Sequence, residues 1–306
     1  MKDAQLRAAP KPRAVPLPKR QMGSEDILAQ GRSVRVAKPQ IGIVVPTLNA
    51  AATLEWTLCS LRSQRGVDVE IVVVDSGSTD GTPDICKSWG VPTTYVPPGN
   101  LYRAINAGMH QMGTEWVASV DSDDVVYPHS YSRLIALGER EGASLVYGDD
   151  DCIDFEGRYL FTHKRAKPSR ILGILKCGAG AFLGQAAVWR RSTFEELGGL
   201  DERFRLIADH DFYFRLITSG YPVAKLAPPS VAGTRRHPGE LSIREAAARP
   251  EEMRLFRSLG TVRRSPKCFF DLLAVHALNS PSHLWRLRSR RTWHRSLLKL
   301  MGEWPR

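Results

Sequence analysis

Apolar residues along the chain fall into short runs whose period switches between that of a strand and that of a helix. Ile41-Gly42-Ile43-Val44-Val45 is a continuous apolar run closed by Pro46 and Asn49, the pattern of a strand buried on both faces. Leu54, Leu58 and Leu61 then recur at a helical spacing. Val69 to Val74 predicts a second buried strand, which runs into the turn-rich Asp75-Ser76-Gly77-Ser78-Thr79-Asp80-Gly81. Thr82-Pro83 predicts a helix start, with Thr82 as cap and Pro83 at the first helical position, and Gly90 closes it. Thr93 to Val96, Trp116 to Val120 and Leu145 to Tyr147 read as further strands, and Leu101 to Met112 and Pro128 to Glu141 as helices.

Strands alternating with helices at this spacing predict βαβ units and an α/β fold with a mainly parallel, Rossmann-like sheet. In such sheets, ligands bind where loops leave the carboxyl ends of the strands. Three of those ends carry unusual chemistry: Pro46-Thr47, Asp75-Ser76-Gly77-Ser78 and Asp121-Ser122-Asp123-Asp124. The second half is less regular. Ile153 to Phe161, around Glu156-Gly157, reads as a hairpin. Ser192-x-x-Glu195 has the form of a capping box opening a short helix that stops at Gly198-Gly199, and Asp209 to Ser219 reads as a helix.

Composition narrows the class. A chain of 306 residues, 42% hydrophobic and 25% charged, is one large domain with appendages or two modest ones, not a disordered or collagen-like protein. Five scattered cysteines without CxxC spacing argue against a disulfide scaffold or zinc ribbon and favour a reducing compartment. The nearest approach to a membrane span, Ile171 to Gly184, falls short of the roughly 20 apolar residues required and is interrupted by Lys176. The basic, Pro-rich N-terminus has no apolar segment behind it, so no secretory signal is expected and the expected location is cytoplasmic.

Charge is unevenly placed. Residues 1–40 hold 9 basic and 3 acidic side chains, and residues 249–306 hold 13 and 4, while the 208 residues between them are net −4. A nucleic-acid-binding domain carries its positive charge on the folded face that meets phosphate. Here the positive charge sits in the ends, so no nucleic-acid partner is expected. Residues 1–40 read as a disordered basic arm and residues 246–306 as a basic helical extension.

Familiar nucleotide signatures are missing: no GxGxxG follows a strand and no GxxxxGK[ST] loop occurs. The aspartate clusters lack the glycine and glutamate positions of an EF-hand loop. What remains is Asp121-x-Asp123 directly after a buried strand. Two hard oxygen ligands at a sheet edge suit Mg2+ or Mn2+, which in turn bridges a diphosphate; the same spacing also occurs in solvated turns.

At this point the sequence resembles the family 2 glycosyltransferases of the GT-A fold. The matching stretches are Ile43-Val44-Val45-Pro46-Thr47-Leu48-Asn49, Ile71 to Thr82 through Asp75, Val120-Asp121-Ser122-Asp123-Asp124, Leu197 to Glu202, and Asp209-His210-Asp211-Phe212-Tyr213-Phe214-Arg215-Leu216. They keep the family's order over roughly residues 41–245, the expected catalytic domain, and look closest to members that build bacterial surface polysaccharides. The resemblance implies an inverting, divalent-cation-dependent transfer from a nucleotide-diphosphate sugar, of UDP, GDP or dTDP type, to a glycan or lipid-linked acceptor. Pro46, Thr47 and Asn49 would line the nucleotide pocket and Asp75 would bond the base. A carboxylate accepts from uracil, thymine or guanine alike, so Asp75 leaves the base open. Arg103 and Asn106 match the stretch where the family places donor contacts; an exposed helix face is the plainer reading. Asp121 would contact ribose or metal and Asp123 the metal, with Asp124 a supporting group. His237 is either a third metal ligand or a solvated loop histidine. Arg236 is either a phosphate clamp or part of an exposed turn. Gln185 and Trp189 fall on the acceptor side, where a buried tryptophan is more often core.

An inverting mechanism needs a base for the acceptor hydroxyl. Asp209 and Asp211 compete. Asp211 lies four residues before Arg215 on the predicted helix, which suits a structural ion pair, whereas Asp209 has Tyr213 at that spacing. The family motif also aligns Asp209 with the base, although Ala208 stands where an acidic residue usually precedes it. Two other classes compete with the transferase. A nucleotidylyltransferase would need a Gly-rich loop after the first strand, and Pro46-Thr47-Leu48-Asn49-Ala50 is not one. An inactive adaptor would have degraded carboxylates, and Asp75, Asp121, Asp123 and Asp209 are all present. Beyond the resemblance, Trp293, Leu297, Leu300 and Met301 form one apolar helical stripe among arginines, which predicts either a peripheral contact with an anionic inner membrane face or docking on the protein's own core.

Overall fold

The computed structural model describes residues 38–237, 247–259 and 265–280. The N-terminal arm up to residue 37 and the stripe at 293–301 lie outside these residues. Nine α-helices and eleven strands occur among the described residues. In order they are β1 (Gln40–Thr47), α1 (Leu54–Arg62), β2 (Asp68–Asp75), α2 (Thr82–Trp89), β3 (Thr93–Tyr95), α3 (Leu101–Met109), β4 (Trp116–Ser119), β5 (Val125–Val126), α4 (Ser130–Glu141) and β6 (Leu145–Tyr147). There follow β7 (Asp150–Ile153), β8 (Tyr159–His163), α5 (Pro168–Lys176), β9 (Ala187–Arg190), α6 (Arg191–Glu196), α7 (Ala208–Thr218), β10 (Val223–Lys225), β11 (Ala232–Arg235), α8 (Arg249–Leu259) and α9 (Pro266–Leu278).

Seven strands form the main sheet in the order β10-β6-β9-β4-β1-β2-β3. β1 runs parallel to both β2 and β4, whereas β9 is antiparallel to β4 and β6. The sheet is buried on both faces, which is why β1 is a continuous apolar run. Ile41, Ile43 and Val45 pack with α1 and α4 on one side, and Val44 packs with Tyr102 and Met109 of α3 and with Phe212 of α7 on the other. Helix α3 lies close to the sheet at Gly108, where a Cβ would run into the side chains of Val44 and Val74. A second sheet, β5-β11-β7-β8, holds the expected hairpin: β7 and β8 pair antiparallel.

Several local expectations shift. Thr82 is the first residue of α2, not its cap, and Asp80 from outside the helix accepts the Thr82 amide at 2.9 Å. Helix α3 stops at Met109 because the exit tightens: Gln111 and Met112 donate to carbonyls three residues back. The capping box at Ser192 does not form. Helix α6 begins at Arg191, and Glu195 pairs with the Arg191 guanidinium at 2.6 Å. The C-terminal helices pack on the α/β core, α8 through buried Met253 and Phe256 and α9 along α5. Among the described residues no helix is long and apolar enough to cross a membrane.

Candidate active site

Because β1 is parallel to β2 and β4, the carboxyl ends of all three share one edge of the sheet. Pro46 stands opposite Val74 and Thr47 opposite Asp75. Asp75 is 2% exposed, and its Oδ1 accepts the Ser78 hydroxyl at 2.6 Å. The Thr47 hydroxyl donates to the Val74 carbonyl at 3.4 Å and lies 3.5 Å from Asp75 Oδ1. Asn49 takes a left-handed φ of 53°, which its short polar side chain tolerates. Its amide donates to Ser78 at 2.8 Å, and its Oδ1 accepts the Thr79 amide at 2.9 Å. The two loops are thereby joined into one wall carrying Pro46, Thr47, Asn49 and Asp75. Burial opposes the charge on Asp80 below this wall, but bonds from Thr82 and Ala51 prevail and hold its carboxyl below the usual range.

The second wall follows β4. Carboxylate oxygens of Asp121, Asp123 and Asp124 lie within 4.8 Å of one another. His237 Nε2 is 2.8 Å from Asp123 Oδ2, so the imidazole joins the cluster from a segment more than a hundred residues away in the chain. Asp124 is 2% exposed and its Oδ1 accepts the Arg235 amide at 2.7 Å. Burial first, then the charges of Asp123 and Asp121, raise the Asp124 carboxyl well above the carboxylate range. Hard carboxylate oxygens with an imidazole at their edge form a donor set that fits a small divalent cation.

Arg235, beside Arg236, does not lie in an exposed turn. It is 3% exposed, and its Nε donates to the Asp123 carbonyl at 2.7 Å, so β11 is bolted to the acidic loop. Gln185 is buried beside the same strand and donates to Thr234 Oγ1 at 2.9 Å. Trp189 is core, packed against Phe194 and Phe212.

Asp209 and Asp211 occupy different surroundings. Asp211 Oδ2 accepts Arg215 Nε at 2.8 Å, and the Arg215 guanidinium also donates to the carbonyls of Leu197 and Gly199. That arginine thus fastens α7 to the Leu197–Gly199 turn. Asp209, half-buried, accepts the Tyr102 hydroxyl at 3.1 Å and the His210 amide at 2.8 Å, both on Oδ1. Burial raises the Asp209 carboxyl, and these two bonds offset only part of the rise. Burial, then the charge of Asp209, then that of Asp121, raise the phenols of Tyr102 and Tyr213 well above their ordinary range. Asp209 and Asp121 therefore bear on the same two side chains.

Arg103 and Asn106 are directed elsewhere. Arg103 Nε meets Glu202 at 3.2 Å, and Asn106 donates to the Leu200 carbonyl at 2.8 Å and to Glu202 at 3.0 Å. They wall a cavity of about 870 Å³ with Asp201, Asp211 and Arg215, and the carboxylate cluster is not part of its lining. Tyr102 is the residue that sequence reasoning passed over, and for Arg235 it missed the buried contact with the acidic loop. A tyrosine inside an amphipathic helix reads as core, and nothing local to either residue announces the contact it makes.

Residues 42–198, which are 157 of the 306, match the family model for glycosyl transferase family 2. A PGL/p-HBAD biosynthesis glycosyltransferase of Mycobacterium tuberculosis is 31% identical over 194 residues, covering 60% of this chain and 72% of that protein. The succinoglycan biosynthesis protein ExoO of Rhizobium meliloti is 32% identical over 137 residues, 44% of this chain and 39% of that protein. Among solved structures, S. aureus TarS 1–349 in complex with UDP-GlcNAc superimposes with a TM-score of 0.56 at 20% identity, covering 66% of this chain and 60% of the TarS chain. The mannosyltransferase PcManGT from Pyrobaculum calidifontis, in complex with GDP-Man and Mn2+, gives a TM-score of 0.51 at 20% identity and covers 84% of both chains. The fold is GT-A. A family match that spans the very strands whose ends carry the carboxylates, on this fold, means that the chain belongs to glycosyl transferase family 2 and is a glycosyltransferase.

Proposed function

We propose that this enzyme moves a sugar from a nucleoside-diphosphate donor, of UDP, GDP or dTDP type, to a hydroxyl of a glycan or lipid-linked acceptor, inverting the anomeric centre, in the synthesis of a surface polysaccharide or glycolipid. The observation that carries this reading is the shared sheet edge, where the Thr47–Asp75 wall and the Asp121–Asp123–His237 cluster meet. The catalytic domain spans residues 41–245, and residues 246–306 follow it as an extension, of which α8 and α9 pack on the domain. The two structures bound to nucleotide sugars support the donor class, and the M. tuberculosis relative, named for PGL/p-HBAD biosynthesis, supports a biosynthetic role.

Pro46, Thr47, Asn49 and Asp75 hold the base, with Asp75 accepting an N–H of the pyrimidine or guanine edge. Asp121 reaches the ribose or the cation, and Asp123 and His237 hold Mg2+ or Mn2+. Such a cation, when bound, neutralises charge developing on the departing diphosphate. Asp124 and Arg235 fix the acidic loop in place. Arg103 and Asn106 position the Leu200–Glu202 loop and are left out of the donor contacts.

Asp209 is the base. Tyr102 and the His210 amide both bond Oδ1, which turns Oδ2 to the acceptor hydroxyl. Asp209 takes that proton as the acceptor oxygen attacks the anomeric carbon and the bond to the diphosphate oxygen breaks. Its raised pKa makes it a stronger base than an exposed aspartate. Following release of nucleoside diphosphate from a panel of UDP-, GDP- and dTDP-sugars, with and without Mn2+, tests the reading. One base class should turn over, only with the cation, and not in Asp209→Asn. Unchanged release by Asp209→Asn, or no release from any donor, would overturn it.

A further inference from the structure

Among the described residues, helix α9 uses only one stripe against the rest of the protein. Cys268, Asp271, Val275 and Asn279 face inward, and Asn279 locks the helix end to Lys164 by accepting its amide and donating to its carbonyl, both at 2.9 Å. The opposite face carries Phe269, Phe270 and Leu273, which are 59%, 65% and 45% exposed. Two adjacent phenylalanines and a leucine on one helix face form a contiguous apolar patch of the kind that marks an interaction site.

The charge on α9 and on the stretch packed beside it is one-sided. Asp271, the sole acidic residue of α9, is turned inward, where Lys267 meets it at 3.1 Å and Arg170 at 3.8 Å. No acidic residue occurs between Glu156 and Glu195, the stretch that contains α5 and the exposed Lys164, Lys167 and Arg170. Helix α5 and the loop before it, which flank α9, are therefore basic. The chain continues from Ser280 into 26 residues with seven Lys or Arg and a single acid, Glu303. Like charge disfavours laying that segment beside this basic flank, whereas an anionic surface attracts both.

We propose that the Phe269–Phe270–Leu273 face of α9, with the basic α5 segment on its flank, docks on an anionic lipid bilayer. The rings enter the boundary between headgroups and acyl chains, and Lys164, Lys167 and Arg170 extend their stems so that their charges stay at the phosphate level. This face is separate from the catalytic carboxylates, so the inference does not depend on the donor chemistry above.

The test is co-sedimentation of the full chain with vesicles of phosphatidylglycerol and phosphatidylcholine in equal parts. Binding should weaken as salt is raised, be absent from pure phosphatidylcholine, and fall at least about tenfold in Phe269→Ser/Phe270→Ser. Both rings are exposed, so the variant should melt at an unchanged temperature. Lys164→Glu/Lys167→Glu should weaken binding with the melt likewise unmoved, and deletion of residues 281–306 should leave binding that the phenylalanine substitutions still abolish. Four results would overturn the proposal: no binding of the intact chain to anionic vesicles, equal binding by the phenylalanine variant, loss of all binding on deletion of 281–306, or a dimeric parent that the phenylalanine substitutions render monomeric. That last outcome would assign the face to a second copy.

Discussion

The Tyr102 hydroxyl lies 3.1 Å from Asp209 Oδ1 and ties helix α3 to the first turn of helix α7. The bond favours the ionised carboxylate and partly offsets the rise that burial imposes on it. Tyr102→Phe keeps the ring in the core and removes only this bond. Turnover should fall about tenfold, the scale of one hydrogen bond to a charged group, with the KM for donor unchanged. The acid limb of the pH–rate profile should also move to higher pH, because the lost bond was lowering the Asp209 pKa. A tyrosine that served packing alone would leave that limb where it was.

Asp209 and Asp211 should separate cleanly in mutagenesis. Asp209→Asn should abolish transfer while nucleotide affinity stays within a few-fold, since the base acts in the transition state. Asp211→Asn leaves the Arg215 guanidinium, which also holds the Leu197–Gly199 turn, without its carboxylate partner. It should lower stability by about 2 kcal/mol and reduce activity only through folding. If Asp211→Asn is folded and inactive while Asp209→Asn turns over, the roles are reversed.

Asp123 and His237 approach each other at 2.8 Å across the mouth of the acidic loop. Asp123→Asn keeps the size of the side chain and removes an anionic ligand, so transfer should drop by orders of magnitude at fixed Mn2+ with the melting temperature nearly unchanged. His237→Ala should raise the Mn2+ concentration needed for half-maximal activity. Full activity in excess chelator would sink the cation requirement.

The parts of this site that the sequence displays are those built from strands buried on both faces. β1, β2 and β4 are apolar runs, and the residues that matter at their ends follow within a few positions, so periodicity and motif sit side by side. β9 was not legible, because its antiparallel place between β4 and β6 is chosen by strands some forty and seventy residues earlier. The same holds for single contacts. Tyr102 meets Asp209 across 107 residues and Arg235 meets Asp124 across 111, and neither residue carries a local pattern that foretells its partner. Arg103 and Asn106 show the converse: a motif position gave them a donor role, yet Arg103 Nε is held by Glu202 and the Asn106 amide by Leu200 and Glu202.

His210, the neighbour of the proposed base, should give the fold a measurable acid sensitivity. It is 4% exposed and stands edge-on to Phe256, with ring centroids 5.0 Å apart. Burial, reinforced by the charges of Arg249 and Arg257, lowers its pKa to about 4. In the unfolded chain the imidazole titrates near its ordinary value of about 6.5. Between those two values the unfolded state binds the extra proton, so stability falls as pH falls through that window and levels off below about pH 4. From pH 7 to pH 5 the contribution of His210 to this loss is about 2 kcal/mol. Asp209 and Asp211, whose carboxyls are raised, contribute with the opposite sign, so the comparison must be between parent and variant. His210→Leu should abolish the His210 component: in urea melts at pH 7 and pH 5, the parent should lose about 2 kcal/mol more than the variant. Equal losses in the two proteins would show that His210 is protonated as readily in the fold as outside it.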